Sequence, residues 1–310
     1  MCLFILITAC EQGIVRPLSA VDDVEIHSGT ATSIISTSKT PELLSTNLPK
    51  PSAGVATGDN TELDLISLPI IPEFISKRTI EIYKTGQKLN NHPHAFSVIG
   101  DCESTSSWFL GDFDKGIENY SLGKYSNLSE VIDAFKGSFG RNSMAVHRGF
   151  NTASVLSPLW ADPVNCQAGE SPLTCEIRIQ QPSIVFILLG SNDEFILDKF
   201  EKNLRDILDA LIKQGIVPIL ATKADNVEGK NIINTTIVKL ALEYEIPLWN
   251  FWRAVQDIPD HGLQADGTHL TWGHNYFDDP KAMEKAWPWR NLTALQVLDK
   301  VWRNVLVEIK

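Results

Sequence analysis

The stretch FSVIGDCES, residues 96–104, decides the fold. The mostly apolar run from Phe96 to Ile99 ends at a Gly-Asp pair, and small or polar residues follow. This pattern predicts a buried parallel strand that enters a tight turn, with a helix beginning just after it. A side chain at such a turn lies at the carboxyl end of the sheet, where open α/β folds place their chemistry. Cys102 holds that position, and we expect the helix end to favour its thiolate, the reactive form.

Strand-like and helix-like segments alternate through the chain after about residue 78. Further strands are predicted at 144–147, 183–189, 216–221 and 246–250. Apolar residues at helical spacing predict helices at 198–213, 231–244 and 292–306. This alternation is typical of a mainly parallel sheet covered on both faces. We therefore predict an α/β fold of three layers, α/β/α, with about five strands.

The amino-terminal part of the chain differs in character from the rest. Residues 1–10, MCLFILITAC, resemble a bacterial lipoprotein signal, in which small residues precede a cysteine that becomes lipidated, here Cys10. A simple cleaved signal and a chance apolar start are the alternatives. Residues 11–75 are predicted to be a flexible Ser/Thr/Pro-rich tether, because much of this segment lacks apolar periodicity, and a loosely packed extension of the domain is the alternative. The domain is then expected at 76–310, exported and anchored to the outer face of a bacterial cytoplasmic membrane, or secreted.

The composition limits the classes of function. A net charge of −11 argues against a nucleic-acid-binding protein, which would normally show a basic face. No glycine-rich phosphate loop and no dinucleotide fingerprint follow the first strand, so no cofactor is expected. No nucleic-acid partner is expected, whereas a small-molecule or carbohydrate ester substrate and, through the lipid anchor, a membrane are expected partners.

The cysteines point to an oxidising compartment. Cys166 and Cys175 flank a short loop and are plausible disulfide partners in an exported protein. Two thiols, or one ligand pair of a metal site, are the alternatives. Because no second Cys or His pair at metal spacing is visible, no metal site is expected. Cys102 is the odd cysteine of the mature domain.

Four short stretches stand where predicted strands end, so they should meet at one rim of the sheet. They are GDC (100–102), RGFNTAS (148–154), GSND (190–193) and DGTH (266–269). A nucleophile needs a base, and the base needs a group that orients it. Cys102, His269 and Asp266 are the candidates for these three roles. The backbone N–H groups of Cys102 and Gly149 and the side-chain amide of Asn192 are candidate donors to the oxyanion of an attacked carbonyl.

These blocks resemble those of the SGNH (GDSL-type) hydrolases, which are esterases and lipases on a flavodoxin-like sheet. The resemblance spans about residues 90–310, and the four blocks match in order. It implies the SGNH hydrolase fold and the hydrolysis of an ester. In the family the first block is Gly-Asp-Ser, and its serine is the nucleophile. Cys102 stands in the place of that serine here.

The cysteine leaves three interpretations open. Cys102 acts as a thiol nucleophile, Ser104 replaces it, or the site binds without catalysis. The favoured prediction is an exported, membrane-tethered hydrolase that cleaves an ester, such as an acyl group on a carbohydrate, and the alternative is an inactive glycan-binding lipoprotein. Tryptophans are dense near the last two strand ends and could stack on a sugar ring, although core packing is favoured for them. They are Trp249, Trp252, Trp272, Trp287 and Trp289.

Overall fold

The computed structural model describes residues 64–307. The predicted signal with Cys10 and the predicted tether up to residue 63 lie outside the described residues. In chain order the strands are β1 (His92–Gly100), β2 (Tyr120–Ser121), β3 (Pro182–Leu188), β4 (Val217–Ala221), β5 (Leu248–Trp249) and β6 (Asn275–Tyr276). Four of them form a parallel sheet in the order β1-β3-β4-β5, and β2 and β6 form a separate parallel pair.

Two groups of helices cover the sheet. The helices are α1 (Lys77–Lys88), α2 (Asp112–Lys115), α3 (Ser129–Ala134), α4 (Thr152–Leu156), α5 (Pro172–Gln180), α6 (Leu197–Lys213), α7 (Ile232–Glu243), α8 (Phe251–Val255) and α9 (Ala286–Val307). α1, α3 and α8 contact α9, whereas α4 contacts α5 and α6, and α6 contacts α7. β3 is buried at every position, as expected for a parallel strand covered on both faces. The predicted α/β/α class is confirmed.

The long helices follow the apolar stripes in the sequence. In α6 the side chains of Phe200, Leu204 and Leu208 recur at helical spacing and are buried. The chain leaves this helix through Gly215, which has φ +68°. A Cβ there would lie 2.1 Å from the backbone nitrogen of Gly86, so only glycine fits this close approach of two chain segments. Among the helices between residues 64 and 307, none combines the length and the apolar character that crossing a membrane requires.

The fifth predicted strand, 144–147, is reduced to a single parallel bridge between Val146 and Gly100. The N–H of Met144 donates to Glu176 Oε2 at 2.7 Å and is thereby unavailable to a longer ladder. Gly100 also pairs with Leu188 of β3, so the bridge lies on the other edge of β1. With this segment placed beside β1, the spatial order is segment 144–147, β1, β3, β4, β5, which corresponds to the flavodoxin-like order when the segment is counted as the second strand.

The first described residues pack onto the end of the sheet. Asn250, which follows β5, donates from Nδ2 to the carbonyl oxygens of Leu65 at 2.8 Å and Leu68 at 3.3 Å. Its own N–H donates to Ile70 O at 3.0 Å. Three residues of the segment 64–75, which was predicted to belong to the tether, thus accept hydrogen bonds from the domain.

A disulfide joins Cys166 and Cys175. It ties the loop after α4 to helix α5, in which Cys175 is buried. The two sulfur atoms are bonded to each other, so they are neither a thiol pair nor ligands of a metal.

Candidate active site

The nucleophile candidate begins a short turn at the carboxyl end of β1. Cys102–Ser104 form a three-residue 3₁₀ turn, and the expectation of a helix beginning here is wrong. The carboxylate of Asp101 caps the turn by accepting the N–H of Glu103 at 3.1 Å, and Thr105 then returns to extended geometry. A single turn has little dipole to favour an anion. The expected contribution of a helix end to the thiolate of Cys102 is therefore small, which leaves the base candidate as the group to consider for its activation.

Ser104 is buried beneath the end of β1. Its hydroxyl oxygen has no hydrogen-bond partner within residues 64–307 and is shielded from solvent. A Cβ placed on Gly100 would lie 2.2 Å from this oxygen, so the serine occupies the space that glycine leaves open. The hydroxyl of Ser104 offers no surface to a substrate, which argues against the interpretation that it replaces Cys102.

The base candidate and its orienting carboxylate are joined directly. His269 Nδ1 lies 2.6 Å from Asp266 Oδ2. Burial alone would raise the pKa of Asp266, but hydrogen bonds from the N–H groups of Thr268 and His269 and from the ring outweigh it and lower that pKa. The carboxylate stays ionised and accepts from Nδ1, which leaves Nε2 as the nitrogen that could take a proton.

One hydrogen bond links the turn of the nucleophile to the loop of the base. Glu103 Oε1 accepts the N–H of Leu270 at 2.8 Å, across 167 residues of sequence. Cys102 precedes Glu103 and His269 precedes Leu270. The first and fourth predicted blocks therefore meet at one place.

The oxyanion candidates come from two neighbouring loops. Gly149 is exposed, with φ +79°, a conformation that favours glycine. Asn192 lies in the 3₁₀ turn that follows β3, and its Nδ2 donates to Phe150 O at 3.1 Å. Asn151 caps α4 by accepting the N–H groups of the next turn, which fixes this loop. The second and third blocks therefore lie side by side.

Asp193 is a buried residue whose structural role the sequence analysis did not identify. Its Oδ1 accepts the N–H of Thr152 at 3.0 Å and the hydroxyl of Thr152 at 2.5 Å. This joins the turn of Asn192 to the first residue of α4. Burial raises the pKa of the Asp193 carboxyl to about 6, although the hydrogen bonds from Thr152 oppose the rise.

We expect Asp193 to make stability depend on pH. Its pKa in the folded state, about 6, exceeds the ordinary 3.8, so between these values the folded protein binds more protons than the unfolded chain. The contribution of the neutral carboxyl is complete below pH 3.8 and is lost as pH rises through 6, by on the order of 2–3 kcal/mol. Urea unfolding at pH 4.5 and pH 7 should show a wild-type advantage over Asp193→Asn that shrinks at the higher pH. An advantage equal at both values would contradict this.

Most of the tryptophans near the last strand ends are packed, as favoured from the sequence. Trp249 is fully buried, and Trp287 is buried and stacked on Trp108. Trp289 donates from Nε1 to a backbone carbonyl. Trp272, three residues after the base candidate, is 55% exposed and remains available to a ligand.

The chain is similar to several solved structures but matches no known sequence family. No protein-family model and no curated protein matches the chain. A crystal structure of TesA is similar, with 17% identity, coverage of 67% of this chain and 99% of that one, and a TM-score of 0.43. The psychrotrophic esterase EstA from Pseudoalteromonas sp. has 16% identity, coverage of 68% and 99%, and a TM-score of 0.43. A GDSL-like lipase from Bacteroides thetaiotaomicron has 14% identity, coverage of 72% and 98%, and a TM-score of 0.43.

Proposed function

We propose that this protein is an SGNH-type hydrolase that cleaves ester bonds with a Cys-His-Asp arrangement. The observation that carries the proposal is the link between the two halves of the site. The Asp266–His269 pair is intact, and the Glu103–Leu270 hydrogen bond holds its loop against the turn of Cys102. Nucleophile, base and orienting group are the parts that acyl transfer requires.

The reaction then proceeds in two steps. His269 Nε2 takes the proton of the Cys102 thiol, and the sulfur attacks the ester carbonyl carbon. The backbone N–H groups of Cys102 and Gly149 and the amide of Asn192 donate to the oxyanion. The imidazolium gives its proton to the leaving alkoxide, and a thioester on Cys102 remains. Water, deprotonated by His269, attacks the thioester carbonyl, the carbon–sulfur bond breaks to release the acid, and the imidazolium returns its proton to the sulfur of Cys102.

The proposed substrate is an ester of a small molecule or an acyl group on a carbohydrate. The exposed ring of Trp272 supports a sugar-bearing substrate, because aromatic faces present a flat apolar surface. The same ring favours the second candidate function, an inactive protein that binds glycan.

Trapping the thioester tests the proposal. The wild-type domain is incubated with an excess of a p-nitrophenyl ester, quenched in acid and examined by peptide mass spectrometry. The expected result is an acyl adduct on the peptide that contains Cys102, together with release of nitrophenolate above buffer. Cys102→Ala should show neither. Wild-type protein with no adduct and no release would support the glycan-binding candidate.

We also propose that the protein is exported and anchored through a lipid on Cys10. The short apolar run that ends in Ile-Thr-Ala-Cys supports the anchor, and the Cys166–Cys175 disulfide supports an oxidising compartment. Cells fed an alkyne-labelled fatty acid should label the wild type and leave Cys10→Ala unlabelled. Equal labelling of the two proteins would contradict the anchor.

A further inference from the structure

Glu103 occupies a place that links both reacting groups. Its side chain accepts the N–H of Leu270, directly after the base, while its own backbone directly follows the nucleophile. A shift of this hydrogen bond would change the distance between Cys102 and His269, and misplacement by 1 Å is enough to cost about 100-fold in rate.

A buried arginine holds Glu103 from the other side. Arg290 Nη1, on α9, donates to the backbone oxygen of Glu103 at 2.7 Å. The guanidinium lies 5.1 Å from the ring centres of Phe109 and Trp287 and 5.9 Å from that of Phe251. Rings on these sides leave the guanidinium little freedom to move. Glu103 is therefore fixed at both its backbone and its carboxylate.

Charged groups on both sides of Glu103 interact with the two reacting side chains. The positive charge of Arg290 acts on Cys102 as well as on Glu103, and Glu103 itself interacts electrostatically with His269. Asp101, in the same turn, is the negative neighbour. A positive charge thus acts on the Cys102 side chain, and the Glu103 carboxylate lies within electrostatic range of the His269 ring.

Glu103 changes its charge near neutral pH. Burial raises the pKa of its carboxyl to about 7; Arg290 opposes the rise, Asp101 adds to it, and the N–H of Leu270 and His269 oppose it. Beside it lies a cavity of about 30 Å³, enough for a water molecule, which is also lined by Lys223. The other lining residues that carry charge are Asp101, Asp225 and Arg290.

We propose that Glu103 is a positioning residue of the hydrolase: it holds the loop of His269 against the turn of Cys102, and its negative charge stabilises the imidazolium that forms when His269 takes the thiol proton. This inference rests on the proposed function. Two substitutions distinguish the positioning hydrogen bond from the negative charge. Glutamine at position 103 keeps the acceptor oxygen and loses the charge, whereas alanine loses both.

The test is the pH dependence of kcat for a short-chain aryl ester between pH 5.5 and 9. Glu103→Gln should match the wild type within about twofold below pH 6, where Glu103 is protonated, and fall about five- to tenfold below it at pH 8.5. Glu103→Ala should lie at least about tenfold lower at every pH, with KM within about twofold. Glu81→Gln, an exposed change on α1, is the matched control and should follow the wild type.

A second readout needs no ester. The rate at which iodoacetamide alkylates Cys102 should be lower in Glu103→Gln than in the wild type at pH 8, and equal at pH 6. Profiles of the glutamine variant that run parallel to the wild type in both assays would overturn the proposal, whether or not the alanine variant folds. A further outcome is that iodoacetamide alkylates Cys102 faster in the wild type than in Glu103→Gln at pH 8 while the wild type hydrolyses no ester. In that case the proposed function fails and the role of Glu103 stands.

Discussion

Replacing His269 with alanine is expected to lower kcat for ester hydrolysis by at least about 10³-fold. In the proposed mechanism the imidazole takes the thiol proton and returns a proton to the leaving alkoxide, so this variant lacks the group assigned to both transfers. The 3₁₀ turn at Cys102 is too short to supply a helix dipole in its place. The measurement is the steady-state rate on an aryl ester across pH 6 to 9, with circular dichroism to verify folding.

The matched control is His92→Ala. His92 is exposed at the first residue of β1, at the opposite end of that strand from the site, so this variant should keep the wild-type rate. Because nucleophile and base act as a unit, Cys102→Ala combined with His269→Ala should be no slower than either alone. A His269→Ala variant whose rate lies within tenfold of the wild-type rate would show that another group is the base.

Replacing Asn192 with alanine should lower kcat by about 10²- to 10³-fold and leave KM nearly unchanged. An oxyanion donor acts on charge that develops only in the transition state, so its loss affects the chemical step rather than ground-state binding. Asn192 Nδ2 lies in the loop pair that also contains Gly149, because it donates to Phe150 O at 3.1 Å. The two constants would be measured on the same aryl ester.

Two further variants separate catalysis from folding at this position. Asn192→Asp keeps the shape but replaces the NH₂ group with an oxygen, so it should be about as slow as the alanine variant. The control is Asn304→Ala, which removes a side-chain amide that donates a hydrogen bond to the carbonyl oxygen of Lys300 on α9. This variant should leave the rate unchanged. A loss that appears wholly in KM would mean that Asn192 binds the ground state and is not an oxyanion donor.

The elements that a local pattern encodes were predictable from the sequence. The run from Phe96 to Ile99 forms the core of β1, and the stripe from Phe200 onward forms α6. The prediction of a helix beginning just after Cys102 was wrong. The carboxylate of Asp101 caps a single 3₁₀ turn there, and a sequence pattern does not distinguish such a turn from the start of a helix. The strand at 144–147 was shortened by a side chain of α5, distant in sequence.

The same distinction applies to the site. Asp266 and His269 are three residues apart, and their pairing follows from that spacing. The roles of Glu103 and Arg290 were not predictable, because the contact of each with its partner spans more than half the chain and no periodicity signals it. Asp193 stood in a recognised block, but its bond to Thr152 depends on how two loops meet.

The placement of Arg290 on α9 has a consequence for biosynthesis. Cys102 leaves the ribosome long before the residues proposed to activate it. The hydrogen bond between Glu103 and Leu270 can form only after a further 167 residues have been translated. Contacts of such sequence separation form late, since they require the intervening chain to collapse first. A nascent chain that stops before α9 would therefore lack the contact of Arg290 with the turn of Cys102, and the proposed hydrolysis would require translation through α9.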